Sequence, residues 1–290
     1  MKFPADKKTE TGQAPDPAPH APARVTVPPG AVDTHAHVVG STFVLERSYT
    51  PPPASAGDYL RMLDATGMTY GVLVQVSVHG TDNTLLLETL RAHPGRLRGI
   101  AVAPPDLPDR ALAELNDAGV TGLRLNTMTG GGIGLDQLGR LERTCAELDW
   151  HLELFTTPRD VSAVAGRLSR LTVPYVLDHM CDPDLAAGTG SPEWRLVRGL
   201  VADGAWVKLS GANRMADPPY TGTIPFARSL IEAAPDRCVY GSDWPHVAFW
   251  GPMPNDGDLA DLLADWIPDS AARDAVLARN AQRLYGFPSS

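Results

Sequence analysis

The sequence predicts an α/β protein: a single-domain (β/α)8 barrel of the TIM type, preceded by a disordered or extended tail. Three observations carry this. Short apolar runs alternate eight times with amphipathic stretches of helical period, the alternation that a parallel sheet requires. Two polar clusters, Asp33-Thr34-His35-Ala36-His37 and Gly241-Ser242-Asp243-Trp244-Pro245-His246, close the first and last of these runs. Parallel barrels build their sites at the C-terminal ends of strands. The 290 residues, 43% of them hydrophobic, are also enough for one such barrel, which commonly takes about 250 residues.

The elements follow in order. Residues 1–24 read as a Pro/Ala-rich tail, because Pro15, Pro17, Pro19 and Pro22 break any helix or ladder. Residues 25–290 form the barrel, with Arg24-Val25-Thr26-Val27 able to run along it as an extended arm. The tail carries no chemistry, so deleting residues 2–22 is expected to leave catalysis and melting temperature nearly unchanged. Strands are predicted over 31–35, 70–76, 97–102, 122–126, 151–155, 174–178, 206–210 and 237–241, each short and apolar. Helices are predicted over 57–66, 82–92, 108–118, 136–149, 159–170, 193–203, 224–234 and near 270–284. Asp58, Asp82 and Asp160 stand where N-caps belong, and Gly67 and Gly119 where helices stop.

Composition excludes several function classes. A net charge of −9 without a basic block argues against nucleic acid, which needs clustered Lys and Arg. No apolar run approaches the length of a membrane span, and Met1-Lys2-Phe3-Pro4-Ala5-Asp6 lacks an apolar signal core. Cys145, Cys181 and Cys238 are odd in number and far apart, which reads as reduced thiols in a cytoplasmic protein. The expected partner is therefore a small molecule; a homo-oligomer is compatible with the sequence.

Side chains at i and i+2 of a strand share a face, so His35 and His37 project together, into the interior if the sheet closes. A single histidine is ordinarily a satisfied core or surface residue. An H-x-H pair closing one strand, with an aspartate closing another, points instead to an active site. The same counting places Ser77 or His79 past the second strand and Arg124 and Asn126 on the fourth. Phe155 ends the fifth strand, His179 follows the sixth, and Arg214 follows the seventh. Arg124 either reaches substrate or pairs with Glu153 on the adjacent strand. Lys208, mid-strand, is expected to pair with a buried carboxylate such as Glu153.

At this point the chain resembles a known family. Asp33-Thr34-His35-Ala36-His37-Val38, Val74-Gln75-Val76-Ser77-Val78-His79, Leu177-Asp178-His179-Met180, Val207-Lys208-Leu209-Ser210-Gly211 and Tyr240-Gly241-Ser242-Asp243-Trp244-Pro245-His246 are similar to the amidohydrolase superfamily. They resemble in particular its lactonase branch, which includes 2-pyrone-4,6-dicarboxylate lactonase, sulfomuconolactone hydrolase and galactarolactone isomerase. The resemblance implies hydrolysis of a small carboxylated or sulfonated lactone in aromatic-compound or sugar-acid catabolism. By position it makes Asp243 the general base, with His35, His37 and His179 around the scissile carbonyl. It makes Arg124, Arg214, Ser77 and Tyr49 substrate-binding residues, to which Asn126 and His79 are added from their strand positions. The chain departs from the family pattern in three places: Thr127-Met128-Thr129-Gly130-Gly131-Gly132 is uncharged where the dicarboxylate enzyme has further basic residues, Phe155 stands where that enzyme has a tyrosine, and His79 stands where an aromatic hydroxyl is common.

A catalytic zinc takes about three protein ligands and a water. The resemblance is to a branch that works without metal, so no cofactor is expected; the alternative is one divalent metal such as zinc on His35, His37, His179 and Asp243. Other readings of the same pocket are a lactone isomerase, a metal-dependent decarboxylase and a non-catalytic small-anion binder.

Overall fold

The computed structural model describes residues 9–289. Eight parallel strands follow one another in sequence order around a barrel. They are β1 (Val32–Ala36), β2 (Tyr70–Val74), β3 (Leu97–Ala101), β4 (Val120–Asn126), β5 (His151–Phe155), β6 (Tyr175–Leu177), β7 (Trp206–Leu209) and β8 (Cys238–Tyr240). Six helices cover the first part of the sheet: α1 (Ala56–Thr66), α2 (Thr84–Ala92), α3 (Asp109–Asp117), α4 (Leu138–Leu148), α5 (Pro158–Leu168) and α6 (Pro192–Ala202). The second part adds short helices that periodicity does not announce. α7 (Ala212–Met215) precedes α8 (Ile224–Ala233), and α9 (Asp256–Asp261) and α10 (Leu263–Trp266) follow β8. The closing helix runs through a π turn at Ala275–Arg279 and ends at Tyr285.

Three cap assignments need correction. Ser55, not Asp58, caps α1, and Asp58 is the reciprocal partner of its capping box. Thr157, not Asp160, caps α5, with Asp160 in its first turn. An acidic residue favours the first helical turn as strongly as the cap itself, and sequence alone does not separate the two places. Asp82 lies one residue ahead of the α2 cap position, Asn83, and accepts from the Thr84 amide at 3.1 Å.

Val32, Val72, Val74, Ile100, Val176, Trp206 and Val239 fill the barrel interior, with Tyr285 and Phe287 of the closing segment packed on them. The seam between β8 and β1 is closed by the segments that carry the chemistry. Asp243 N donates to His35 O at 2.9 Å, and His37 N donates to Trp244 O at 2.8 Å. Asp33 clamps this seam from outside, accepting from Ser242 N and Ser242 Oγ, each at 2.7 Å, and from Tyr59 Oη of α1 at 3.0 Å. The register of β1 shifts against β2 between Asp33 and Ala36. Strict alternation puts Asp33 and His35 on one face; the bulge sends Asp33 outward and His35 inward. Gly241 permits the approach, since a Cβ there lies 2.7 Å from His35 Cβ.

The described part of the tail is extended and docked. Gly12 N donates to Thr50 O at 2.9 Å, and Asn255 Nδ2 donates to Asp16 Oδ2 at 3.0 Å. Asp261 of α9 accepts from the backbone amides of Ala23 at 2.8 Å, Arg24 at 2.6 Å and Val25 at 3.1 Å. Gly12, Asp16 and Ala18 are thus docked on Thr50 and Asn255, a contact that composition does not announce. A proline-rich strand forms no ladder, but side chains of the body satisfy its backbone instead. Asp261→Ala is expected to cost about 2 kcal/mol, roughly 4 °C in melting temperature for a chain of this size. An unchanged melting curve would show that the tail amides find water as readily as the carboxylate.

Candidate active site

His35, His37, His179 and Asp243 converge at the C-terminal mouth of the barrel. Asp243 Oδ1 lies 3.9 Å from His35 Nε2, 3.9 Å from His37 Nε2 and 3.6 Å from His179 Nε2. All four residues are buried. Neither oxygen of Asp243 has a hydrogen-bond partner among the described residues, so the carboxylate has its full accepting capacity for a ligand or water. Asp243 and His179 hold left-handed backbone conformations, φ 69° and 50°, which non-glycine residues adopt at some cost and which cluster at functional sites.

The second ring nitrogen of each histidine fixes what the first can do. His37 Nδ1 donates to the Val74 carbonyl at 2.8 Å, so in the neutral ring Nε2 presents a lone pair to the cavity. His179 Nδ1 lies 2.9 Å from Ser210 Oγ, and a hydroxyl serves either tautomer. His35 Nδ1 lies 3.1 Å from Lys208 Nζ and 3.3 Å from Asp178 Oδ1.

Burial, with His35 and Arg124 adding repulsion, holds His37 well below the usual imidazole range. Burial, His35 and Arg214 do the same for His179, and burial and Lys208 lower His35. All three rings are thus biased toward the neutral form. Hence any acid limb of kcat/KM for a non-titrating substrate is expected below the ordinary imidazole value of about 6.5; a limb centred at or above 6.5 would mean that one of the rings titrates as a free imidazole does. Stability behaves differently. The unfolded chain gains these protons near pH 6.5 while the folded chain does not, so melting temperature falls as pH drops through that value. His246, raised because its Asp256 partner outweighs its burial, offsets part of this fall.

A buried charge network lies beneath. Lys208 Nζ is 2.6 Å from Glu153 Oε2 and 3.2 Å from Asp178 Oδ1, the ion pair with Glu153 that sequence reading expects. Arg124 pairs with Asp178 rather than Glu153: its Nη2 and Nε lie 3.1 and 3.2 Å from Asp178 Oδ2. Burial pushes the Asp178 carboxyl up, but Lys208, His35 and Arg124 together hold it well below the usual range.

Around Asp243 a small cavity is lined by His37, Tyr49, Ser77, Arg124, Phe155, His179 and Arg214, together with Thr129, Val247 and Ala248. A larger depression lies between α5 and α6 over Asp184, Leu185 and Glu193; it contains none of the convergent histidines. Arg124 and Arg214 flank the Phe155 ring at 4.8 and 5.1 Å. Burial pushes the Tyr49 hydroxyl up to about 12, and it hydrogen-bonds Ser77.

Two residues assigned to substrate by counting are placed otherwise. Asn126 Nδ2 donates to Ser77 Oγ at 2.9 Å and Thr129 Oγ1 at 2.7 Å, and its Oδ1 accepts from Met128 N and Thr129 N. It shapes the following loop. His79 turns away because Ser77–His79 forms a 3-10 turn rather than continued strand; its ring stacks on Phe43, and Nε2 accepts from Gly40 N at 3.3 Å. Val247, Ala248 and Thr129 are lining residues that no motif signals. Asp178 had a signal, a carboxylate adjoining His179.

Residues 32–287 match the amidohydrolase family. The chain belongs to that family. It is 36% identical to the 4-sulfomuconolactone hydrolase of Hydrogenophaga intermedia, over 91% of each chain. It is 32% identical to the 2-pyrone-4,6-dicarboxylate hydrolase of Comamonas testosteroni, over 89% of this chain and 91% of that one. An apo crystal structure from Agrobacterium tumefaciens matches with a TM-score of 0.85 at 26% identity, covering 93% of this chain and 100% of that one.

Ligand atoms of His35, His37 and Asp243, and of His35, Asp178 and His179, come within 4.8 Å of one another, the spacing of metal-binding sets. The surroundings fit a divalent ion poorly. Asp178 already faces Lys208 and Arg124, Asp243 faces Arg214 Nη1 at 3.6 Å, and His35 Nδ1 faces the Lys208 ammonium. A dication there must share its ligands with three fixed cations.

Proposed function

We propose that this chain hydrolyses a small lactone bearing a carboxylate or sulfonate, with Asp243 as general base and without a metal. The observation that carries this reading is the buried Asp243 carboxylate, without a hydrogen-bond partner among the described residues, facing three imidazole Nε2 atoms within 3.9 Å. Water bound between Asp243 and the His37 lone pair loses one proton to Asp243 as its oxygen attacks the lactone carbonyl. The developing oxyanion accepts hydrogen bonds from His35 and His179 through their Nε2 atoms. The acyl–oxygen bond then breaks, and protonated Asp243 returns its proton to the ring oxygen. His37 thus acts as an acceptor for water, whereas position alone assigns it with the oxyanion donors; its Nδ1 proton is held by Val74. Arg214, with Ser77 and Tyr49, binds the anionic group, where planar guanidinium donors give orientation as well as charge, while Arg124, which sequence position also assigns to substrate, braces Asp178 at the cavity wall.

The names of the relatives support the substrate class, and three buried free cysteines suit the cytoplasm, in aromatic-compound or sugar-acid catabolism. Among the described residues no helix is long and apolar enough to cross a membrane. The test is a panel of carboxylated, sulfonated and neutral lactones followed by pH indicator and mass spectrometry. Hydrolysis releases acid and adds the mass of water. Turnover without mass change makes the chain an isomerase, released CO2 a decarboxylase, and saturable binding without turnover an anion binder. Full activity after chelation, with substoichiometric metal in the purified protein, is expected; metal-dependent turnover overturns that part of the mechanism.

A further inference from the structure

We propose that Lys208 is a positioning residue that fixes the tautomer of His35, keeping its proton on Nε2 and so aiming a hydrogen-bond donor at the reacting carbonyl. The catalytic consequence rests on the hydrolytic reading; the tautomer itself does not. Lys208 stands mid-strand inside the barrel, fully buried, where an ammonium must place all three hydrogens on protein acceptors. Two acceptors stand in hydrogen-bonding geometry, Glu153 Oε2 at 2.6 Å and His35 Nδ1 at 3.1 Å, while Asp178 Oδ1 lies at ion-pair distance, 3.2 Å. The second of these bonds forms only if Nδ1 offers a lone pair. With the proton on Nδ1, an N–H faces an ammonium hydrogen across 3.1 Å, and one hydrogen of a buried cation has no acceptor.

The competing arrangement has His35 Nδ1 donating to Asp178 Oδ1, 3.3 Å away. That contact does not reach hydrogen-bonding geometry, and Asp178 Oδ1 has no hydrogen-bond partner among the described residues; its charge is met by Arg124, which donates Nε to Oδ2 and brings Nη2 to 3.1 Å, and by Lys208 3.2 Å from Oδ1. Lys208 is itself held in place from below. Tyr285 Oη donates to Glu153 Oε1 at 2.7 Å, and the Tyr285 ring lies 5.9 Å from Lys208 Nζ. A line of contacts thus runs from the closing helix through Glu153 and Lys208 to His35. At its upper end His35 Nε2 has no hydrogen-bond partner among the described residues. That is the condition of a donor whose acceptor arrives with the substrate. A protonated Nε2 also has no lone pair for a metal, so the same lysine opposes a divalent ion at His35.

The test reads the proton directly, in substrate-free full-length chain carrying 15N-histidine, by long-range 1H–15N correlation with His35 assigned from its glutamine variant. In the wild type, Nε2 is expected to be the protonated nitrogen of His35 between about pH 6 and pH 8. In Lys208→Met the proton moves toward Nδ1 and Asp178, and kcat falls by about a hundredfold with KM changed by less than about threefold, the signature of a lost oxyanion donor. If the unpaired Glu153 prevents that variant from folding, Lys208→Met/Glu153→Gln removes the stranded charge and answers the same question. A wild-type His35 protonated on Nδ1, or a tautomer unmoved by loss of Lys208, overturns the proposal. A chain with the Nε2–H tautomer that turns over no lactone keeps this inference and loses the hydrolytic reading.

Discussion

Asp243→Asn is expected to lower kcat by about a thousandfold or more while the barrel stays folded. The substitution keeps shape and removes basicity. An amide takes no proton from water, and its NH2 donates toward the His37 lone pair that helps seat that water. Structure is not at risk. The backbone bond from residue 243 to His35 O that closes the barrel seam is untouched, and asparagine tolerates φ near 69° at least as well as aspartate. The side-chain carboxylate accepts no hydrogen bond from the described residues, so its loss strands no donor there. Arg214 Nη1, 3.6 Å from Asp243 Oδ2, loses a neighbouring carboxylate but no hydrogen bond, and the melting curve is the control that the variant is folded. Retention of a tenth of wild-type kcat would remove Asp243 from the role of general base.

The barrel was legible because its signal is repeated: eight apolar runs, each followed by a helical stretch, survive errors of a few residues at any one boundary. His35, His37, His179 and Asp243 were legible for a related reason, as titratable groups at strand ends with no structural need of their own. What stayed hidden depends on atoms that a strand pattern does not encode. The β1 bulge, not alternation, separates Asp33 from His35. The acceptor character of His37 comes from the Val74 carbonyl, a backbone atom on the neighbouring strand. The direction of the His79 ring depends on the 3-10 turn that follows β2, where period-2 counting no longer applies. The tail was read as inert because its composition forbids ladders, whereas Asn255 and Asp261 hold it through side-chain bonds to its backbone. Strand position alone leaves Arg124 between substrate and an ion pair with Glu153; in the structure it pairs with Asp178.

That last placement separates two arginines which sequence reading treats alike. Arg124 commits Nε and Nη2 to Asp178, and Asp178 in turn faces Lys208 and His35. Arg124→Met therefore disturbs the network under the oxyanion donors. It should lower kcat/KM on acidic and neutral lactones alike and cost about 3 kcal/mol of stability, as breaking a buried pair does. Arg214 is different. It comes from α7, outside the sheet, flanks Phe155 at 5.1 Å and lines the cavity with Nη1 3.6 Å from Asp243 Oδ2. One charge-assisted bidentate contact is worth about 2–3 kcal/mol, roughly 30- to 150-fold. Arg214→Met is accordingly expected to lower kcat/KM by about that factor on a carboxylated or sulfonated lactone, and by less than about threefold on a neutral lactone of the same ring. The measurement is the ratio of the two losses in each variant, with melting temperature alongside. Equal losses on both substrates in Arg214→Met would make this arginine a support of the Asp243 carboxylate rather than a reader of substrate charge, and the anionic substrate class would lose its strongest residue.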